Sequence, residues 1–523
     1  MNGALGTLPA ELAGKTVTPD DRRYRMLRST YTTVGRPAAV VLPESAGDVA
    51  AALRLARETG LRVAVRSGGH GLSGSGTNEG GLVIDLSALH KVDVLDRGSR
   101  LVRVEAGARW AQVAQTLAPH GLAISSGDHG NVGVGGIATG GGVGWLVRRY
   151  GLTVDHIRAV EVVLPDGTFV RADAETEPDL LWVMRGAGAG AGIAVAFEIE
   201  AMEVRGVGYA QLVAAVDPAG ETLRRWAEVM ERAPRELSTA VMLASQGTTT
   251  AAFVTAVVSS DRASVIRDAV GPLLGIGDVT AQQAHIVPYT ELVPPHHQHT
   301  NTGQMPASTT NGLLTGMTPD AARALVTASA APDPVLIQLR SLGGATHDPA
   351  PSATAFAHRH QNTLVIASAF PPDDRATLAA ASTPLARHTD GAYVNFESAP
   401  DEATFAPPAP ASPTCGSATT PTASCAPGRR SDRRPDRSHR PRAPRHPLRA
   451  TIPLCSLHPV MEIHASGSST PTADSSRCPP GSRRSPSGPG QTPGSGGSPY
   501  TTPQDATHLN RAASGALCGI GQV

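Results

Sequence analysis

Arg66-Ser67-Gly68-Gly69-His70-Gly71-Leu72-Ser73-Gly74 is the stretch whose reading decides the fold. It follows a run with Leu61, Val63 and Val65 on one face and Arg62 and Ala64 on the other, the alternation of a half-buried strand. The run then breaks into a loop in which glycine recurs every second or third residue. Glycine takes positive φ without strain and lets the backbone come close to a bound group. An imidazole held in the middle of such a loop can be pressed against a flat ligand. Downstream, after Gly81, Leu82-Val83-Ile84-Asp85-Leu86 reads as the next strand.

A second glycine cluster, Gly133-Val134-Gly135-Gly136-Ile137-Ala138-Thr139-Gly140-Gly141-Gly142-Val143-Gly144, lies further on. Its first six residues satisfy G-x-G-x-x-A, and Asp155 stands at about the dinucleotide-binding distance. A loop of that kind must open a helix. Thr139-Gly140-Gly141-Gly142 cannot propagate one, at ~1 kcal/mol per glycine relative to alanine. A wrapped loop donating backbone N–H groups to a pyrophosphate is therefore expected instead.

The Arg-Ser-Gly-Gly-His run, its Gly-rich turn and the segment at 81–86 resemble the FAD-linked oxidases of the berberine-bridge-enzyme-like group, with their vanillyl-alcohol-oxidase (PCMH-type) FAD-binding domain. The resemblance implies that His70 bonds covalently to the 8α-methyl of FAD, with Arg66, Ser67, Gly68, Gly69, Gly71, Ser73 and Gly74 around it. It makes Val132, Gly133, Gly135, Gly136, Thr139, Gly140, Gly141, Gly142 and Gly144 the phosphate cradle, with Gly107, Gly192 and Ile193 as further contacts. Bicovalent relatives carry a cysteine three residues before the Val-Gly pair. His129 stands there, so no thioether can form and a single covalent link is expected. Relatives have Asn-Phe near Ala189–Ala191, where small residues remove a polar flavin contact.

Around these motifs the chain alternates strand and helix. A helix starts near Ser45 with Val49, Leu53 and Ala56 on one face. A strand at Leu101 to Glu105 precedes a helix carrying Trp110, Val113 and Leu117. Val160, Val162 and Leu164, the turn Pro165-Asp166-Gly167, and Phe169-Val170 read as a hairpin. Asp179 to Trp182 and a Gly/Ala run then lead to a strand at Ile193 to Glu200. From about residue 206, strands at 209–216, 239–244, 251–258, 335–341 and 363–369 alternate with helices near 220–232, 262–269, 319–330 and 374–387. Pro319 and Asp320 suit a first helical turn.

The fold class expected is α+β: a two-subdomain PCMH-type FAD-binding domain over 31–205 and an antiparallel-sheet substrate domain flanked by helices over 206–406. Residues 1–30 read as a peripheral segment. Tyr393-Val394-Asn395-Phe396 matches a Tyr-x-Asn motif of the same group. The resemblance makes Tyr393 the base on a substrate hydroxyl, with Asn395 beside the flavin. A phenol titrates near ~10, so nearby positive charge must lower it before it can take a proton. His296, His297 and His299, set between prolines, have no helical or strand geometry to aim them, and a solvated loop is expected rather than a metal site.

Composition narrows the remaining classes. The chain has 523 residues and a formal net charge of +0, so nothing draws it as a whole toward nucleic acid or a membrane. No export signal or apolar span is legible, which makes the cytoplasm the default expectation. All five cysteines lie beyond residue 410, which excludes disulfides and thiol nucleophiles from the body. Residues 407–523 read as a disordered low-complexity tail, poor in apolar residues. Lys15 and Lys91 are the only lysines, a sign of a GC-rich gene, and a slipped frame in such DNA would encode a Pro, Arg, Ala, Ser and Gly tail of this kind. A basic nucleic-acid arm is the functional alternative for the tail.

The function expected is FAD-dependent oxidation of a hydroxyl-bearing small molecule, a sugar or secondary metabolite, by hydride transfer to flavin N5 with reoxidation by O2. Two alternatives stay open: a dehydrogenase that passes electrons to another acceptor, and a non-catalytic or degenerate flavin-binding protein.

Overall fold

The computed structural model describes residues 5–400 except 248, 295–300, 334 and 373. The tail at 407–523 and the histidines at 296–299 lie outside the described residues. The chain builds three main sheets. The first has the order Thr16–Val17, Ala39–Val41, Leu82–Asp85, Val63–Arg66, its last three strands parallel. The second, antiparallel throughout, runs Val92–Asp96, Leu101–Glu105, Ile193–Glu200, Ile157–Val163, Phe169–Ala172. The third has seven antiparallel strands in the order Val279–Val287, Val207–Val216, Thr249–Val258, Leu237–Gln246, Leu336–Ser341, Thr363–Ala369, Ser308–Leu314. This is the α+β architecture expected.

Local chemistry accounts for the helix ends. Ser45 accepts from the Asp48 N–H to cap Ala46–Thr59, and Gly60 closes it in the left-handed conformation. Thr318 accepts from the Ala321 N–H, with Pro319 at the first position of Pro319–Ser329. That helix packs with Glu221–Arg232, Ala263–Val270 and Asp374–Ala386 on one face of the seven-stranded sheet, around Trp226, Leu223, Met230 and Leu325. The opposite face meets the rest of the molecule. There Val257 and Tyr289 join Leu146 and Met202, while Leu313, Leu364 and Ile366 join the core that holds Phe356 and Tyr393.

Three expectations need correction. Val63 and Val65 are the exposed side of their strand, at 38% and 39%, while Ala64 and Arg66 are buried. This strand is the edge of its sheet, so apolar alternation names a face without fixing which one the core takes. Residues 5–30 are not peripheral: Leu12 and Val17 are fully buried and Thr16–Val17 pairs with Ala39–Val41. The strands Val92–Asp96, Val279–Val287 and Ser308–Leu314 were not expected. Each is rich in polar residues, and all three are sheet edges.

Candidate cofactor and active site

The parallel register of the first sheet puts Arg66 beside Asp85. Arg66 Nε and Nη2 donate to Asp85 Oδ2 at 2.9 and 2.6 Å, and Nη1 donates to the Ser29 carbonyl at 2.8 Å. Its guanidinium is thus committed inside the protein and fixes the base of the His70 loop. The loop then turns through Gly69, at φ +75°. His70 Nδ1 lies 3.1 Å from the Gly68 carbonyl oxygen. A carbonyl only accepts, so Nδ1 carries the hydrogen in this arrangement. Tyr31 stacks on the imidazole, centroids 4.8 Å apart and planes within 14°, and the His129 ring lies at 5.5 Å.

The two glycine clusters touch through their backbones. A Cβ on Gly68 would stand 2.3 Å from the Gly133 nitrogen, and one on Gly133 would stand 2.2 Å from the Gly68 nitrogen. Ser67 Oγ donates to the Ala106 carbonyl, binding the first loop to the second sheet. The second cluster does open a helix, Val134–Gly140, contrary to the argument from glycine propensity. Buried packing of Val134, Ile137 and Ala138 carries two turns. Gly141 and Gly142, at φ +145° and +95°, then stop it. Asp155 serves no ligand: it accepts from the Leu152 N–H and forms a bidentate pair with Arg359 at 2.7 and 3.0 Å.

Tyr393 closes the opposite side. Its backbone is held by Asn311, which accepts from the Tyr393 N–H at 2.6 Å and donates to its carbonyl at 2.9 Å. Phe356 and Phe396 flank the ring edge-on at 6.1 and 5.7 Å. The hydroxyl oxygen accepts from the Gly142 N–H at 2.9 Å and from Asn395 Nδ2 at 2.8 Å. Burial pushes the phenol above 10, and the hydrogen bonds from Asn395 and Gly142 oppose that only partly. The positive neighbour expected to lower it is replaced by Asp128, which raises it further.

One cavity of about 380 Å³ gathers these parts. Of the expected residues, Arg66, Ser67, Gly68, Gly69, His70, Gly71, Ser73, His129, Val132, Gly133, Gly135, Gly136, Thr139, Gly140, Tyr393 and Asn395 line it. Gly74, Gly107, Gly141, Gly142, Gly144, Gly192 and Ile193 do not. Several of these glycines serve close packing. A Cβ would stand 1.8 Å from the Leu86 carbonyl at Gly107, 1.9 Å from the Ser126 carbonyl at Gly144, and 2.6 Å from the Val162 side chain at Gly192. Sequence reading missed Tyr31, Asp128, Phe396 and Glu397 in the lining. Tyr31, one of seven tyrosines, offered rarity as a signal, and Asp128 offered its place beside His129.

Comparison with known proteins fits this geometry. Residues 37–173 match the family model described as FAD binding domain. They form an FAD-binding domain. This chain is 34% identical over 206 residues to (R)-6-hydroxynicotine oxidase of Paenarthrobacter nicotinovorans, covering 39% of this chain and 44% of that protein. The chain thus spans less than half the length of that relative. The fold is shared with a chitooligosaccharide oxidase, at TM-score 0.66 and 23% identity over 73% of this chain and 88% of that one. It is shared too with glucooligosaccharide oxidase from Acremonium strictum, whose FAD is described as 6-S-cysteinyl and 8α-N1-histidyl, at TM-score 0.65 and 21% identity over 74% and 90%.

The cavity suits FAD. Gly71 and Gly136 line it, and a Cβ on either would meet no atom within 4 Å, so both keep open a space that a side chain would fill. His70, Ser67 and Thr139 supply polar groups along the same wall of the FAD-binding domain. Among the described residues no cluster could hold a metal, and no helix is long and apolar enough to cross a membrane.

Proposed function

We propose that this chain is an FAD-dependent oxidoreductase that oxidises a hydroxyl-bearing small molecule, a sugar or secondary metabolite, with dioxygen as the final acceptor. The observation that carries this reading is the shared cavity, in which a glycine-framed imidazole faces a buried tyrosine from the far end of the described chain. Oxidases of an oligosaccharide and of a hydroxynicotine among the similar proteins support the substrate class. FAD, when bound, supplies the two-electron acceptor for a hydride.

The chain's own residues do the rest. His70 is assigned the single covalent link. Tyr31 holds its ring plane and Gly68 its Nδ1 hydrogen. Tyr393 takes the substrate's hydroxyl proton. The Asn395 and Gly142 donors stabilise the phenolate that must form first, and the aromatic rings around it keep water out. Because burial holds this phenol above 10, turnover should climb with pH across the neutral range.

The test is direct. Purified protein should be yellow, acid precipitation should leave the colour on the polypeptide, and His70→Ala should release it into the supernatant. Colour that washes off the unaltered protein would refute the covalent assignment. Peroxide formation during turnover separates an oxidase from a dehydrogenase serving another acceptor.

A further inference from the structure

Arg340 projects from the strand Leu336–Ser341 of the seven-stranded sheet and reaches Asp128 on the cavity wall, Nη1 to Oδ2 2.5 Å, with the side chains 13% and 17% exposed. Its backbone pairs with Ala240 on one side and Leu364 on the other, so the guanidinium is delivered from the middle of a rigid sheet. The same group lies over the Trp145 ring at 5.7 Å and donates to Gln338 Oε1 at 3.1 Å. Three contacts thus fix it in one orientation. Asp128 sits between Gly127 and His129, all three in the cavity lining. We propose that Arg340 is a positioning residue: by gripping Asp128 it sets the charge that Tyr393 meets when it takes a proton. The inference rests on the reading of Tyr393 as the base.

The surroundings of Tyr393 leave this pair as the adjustable charge. Arg359 comes near through Phe356, whose ring it covers at 5.3 Å, but it is committed to Asp155. Glu397 accepts from Thr310 Oγ1 and from the Ala399 N–H. His358, edge-on to Phe356, is pushed toward its neutral form by burial. The loop at Gly140–Gly142 brings no charge. Asp128 remains: it lines the same cavity as Tyr393, and a carboxylate there works against ionisation of the phenol. A cation bound to that carboxylate at 2.5 Å cancels much of its field, and without the cation the full charge acts through a poorly screened interior.

The decisive experiment is an ultraviolet phenolate titration of the full chain, read as the difference between each protein and its Tyr393→Phe counterpart. Arg340→Gln should move the Tyr393 titration up by roughly half a unit or more, and Asp128→Asn should move it down by a similar amount. In the Asp128→Asn background, adding Arg340→Gln should raise the titration by less than it does in the unaltered protein, because only the cation's own field is then lost and no longer its hold on the carboxylate. Arg340→Lys should restore most of the original value. Shifts of the same sign in the two single variants, or an Arg340→Gln shift of undiminished size in the Asp128→Asn background, would overturn the proposal. If Arg340→Gln does not fold, Asp128→Asn still decides it, since an unchanged or raised titration refutes the claim. A colourless preparation defeats the oxidoreductase reading separately and leaves this titration readable.

Discussion

Arg66 and Arg359 each bury a guanidinium against an aspartate, at 2% side-chain exposure, yet they belong to different kinds of joint. Arg66 meets Asp85 over 19 residues of sequence, inside one parallel sheet, and steadies the loop that carries His70. Arg359 meets Asp155 over 204 residues and ties the connection between two strands of the seven-stranded sheet, Leu336–Ser341 and Thr363–Ala369, to the segment behind the second glycine cluster. The first joint shapes a wall of the cavity. The second decides whether that wall and the seven-stranded sheet, the molecule's roof, stay in register, because Phe356, under the Arg359 guanidinium, packs against Tyr393. A local pair builds a surface, whereas a distant pair sets the distance between two surfaces.

The comparison breaks if the distant joint proves weak. Arg359→Met leaves Asp155 buried without its partner, and urea unfolding should record a loss of about 3–5 kcal/mol. A loss below about 1 kcal/mol would reduce the joint to an incidental contact. Tyr289 sharpens the same point through pH. Buried where Ser126 meets the roof, its phenol is pushed up to about 12 by burial. A group raised in the folded state contributes its full stability below the unfolded value of 10, and loses it as pH rises toward 12. At 1.36 kcal/mol per unit that is roughly 2–3 kcal/mol. Melting curves from pH 9 to 12 should therefore fall more shallowly for Tyr289→Phe than for the unaltered protein. The smallest effect belongs to Arg149, which pairs with Glu236 across the same junction but at 41% and 27% exposure. Arg149→Ala should cost less than about 1 kcal/mol, so that burial, rather than crossing the junction, is what gives a pair its weight.

How much of this was legible follows the same division. Strands whose residues alternate within one stretch, such as Leu101–Glu105 and Ile193–Glu200, were read to the residue, because their signal is local. The His70 loop was legible because glycine spacing states a backbone need directly. The face of Val63 and Val65 was not, since an edge strand lacks the second neighbour that would decide it. Val279–Val287 escaped notice because Gln282, Gln283 and His285 sit on an edge that tolerates polar side chains. Asp155 matched a ribose-binding spacing by coincidence, and its real partner lies 204 residues away. Tyr393 was legible as a residue but not in its electrostatics. Nothing near it in sequence announces that its neighbour is the carboxylate of Asp128 rather than a cation.

The Gly303 N–H donates to the Thr30 carbonyl and the Met305 N–H to that of Tyr31, so a strand connection from the roof lies across the residues that back the His70 ring. Prising that ring into the open therefore costs hydrogen bonds between this connection and the segment that carries Tyr31. If His70 carries the cofactor as proposed, loading it and seating this connection become a single cooperative event, and a chain caught half assembled would be neither charged nor shut.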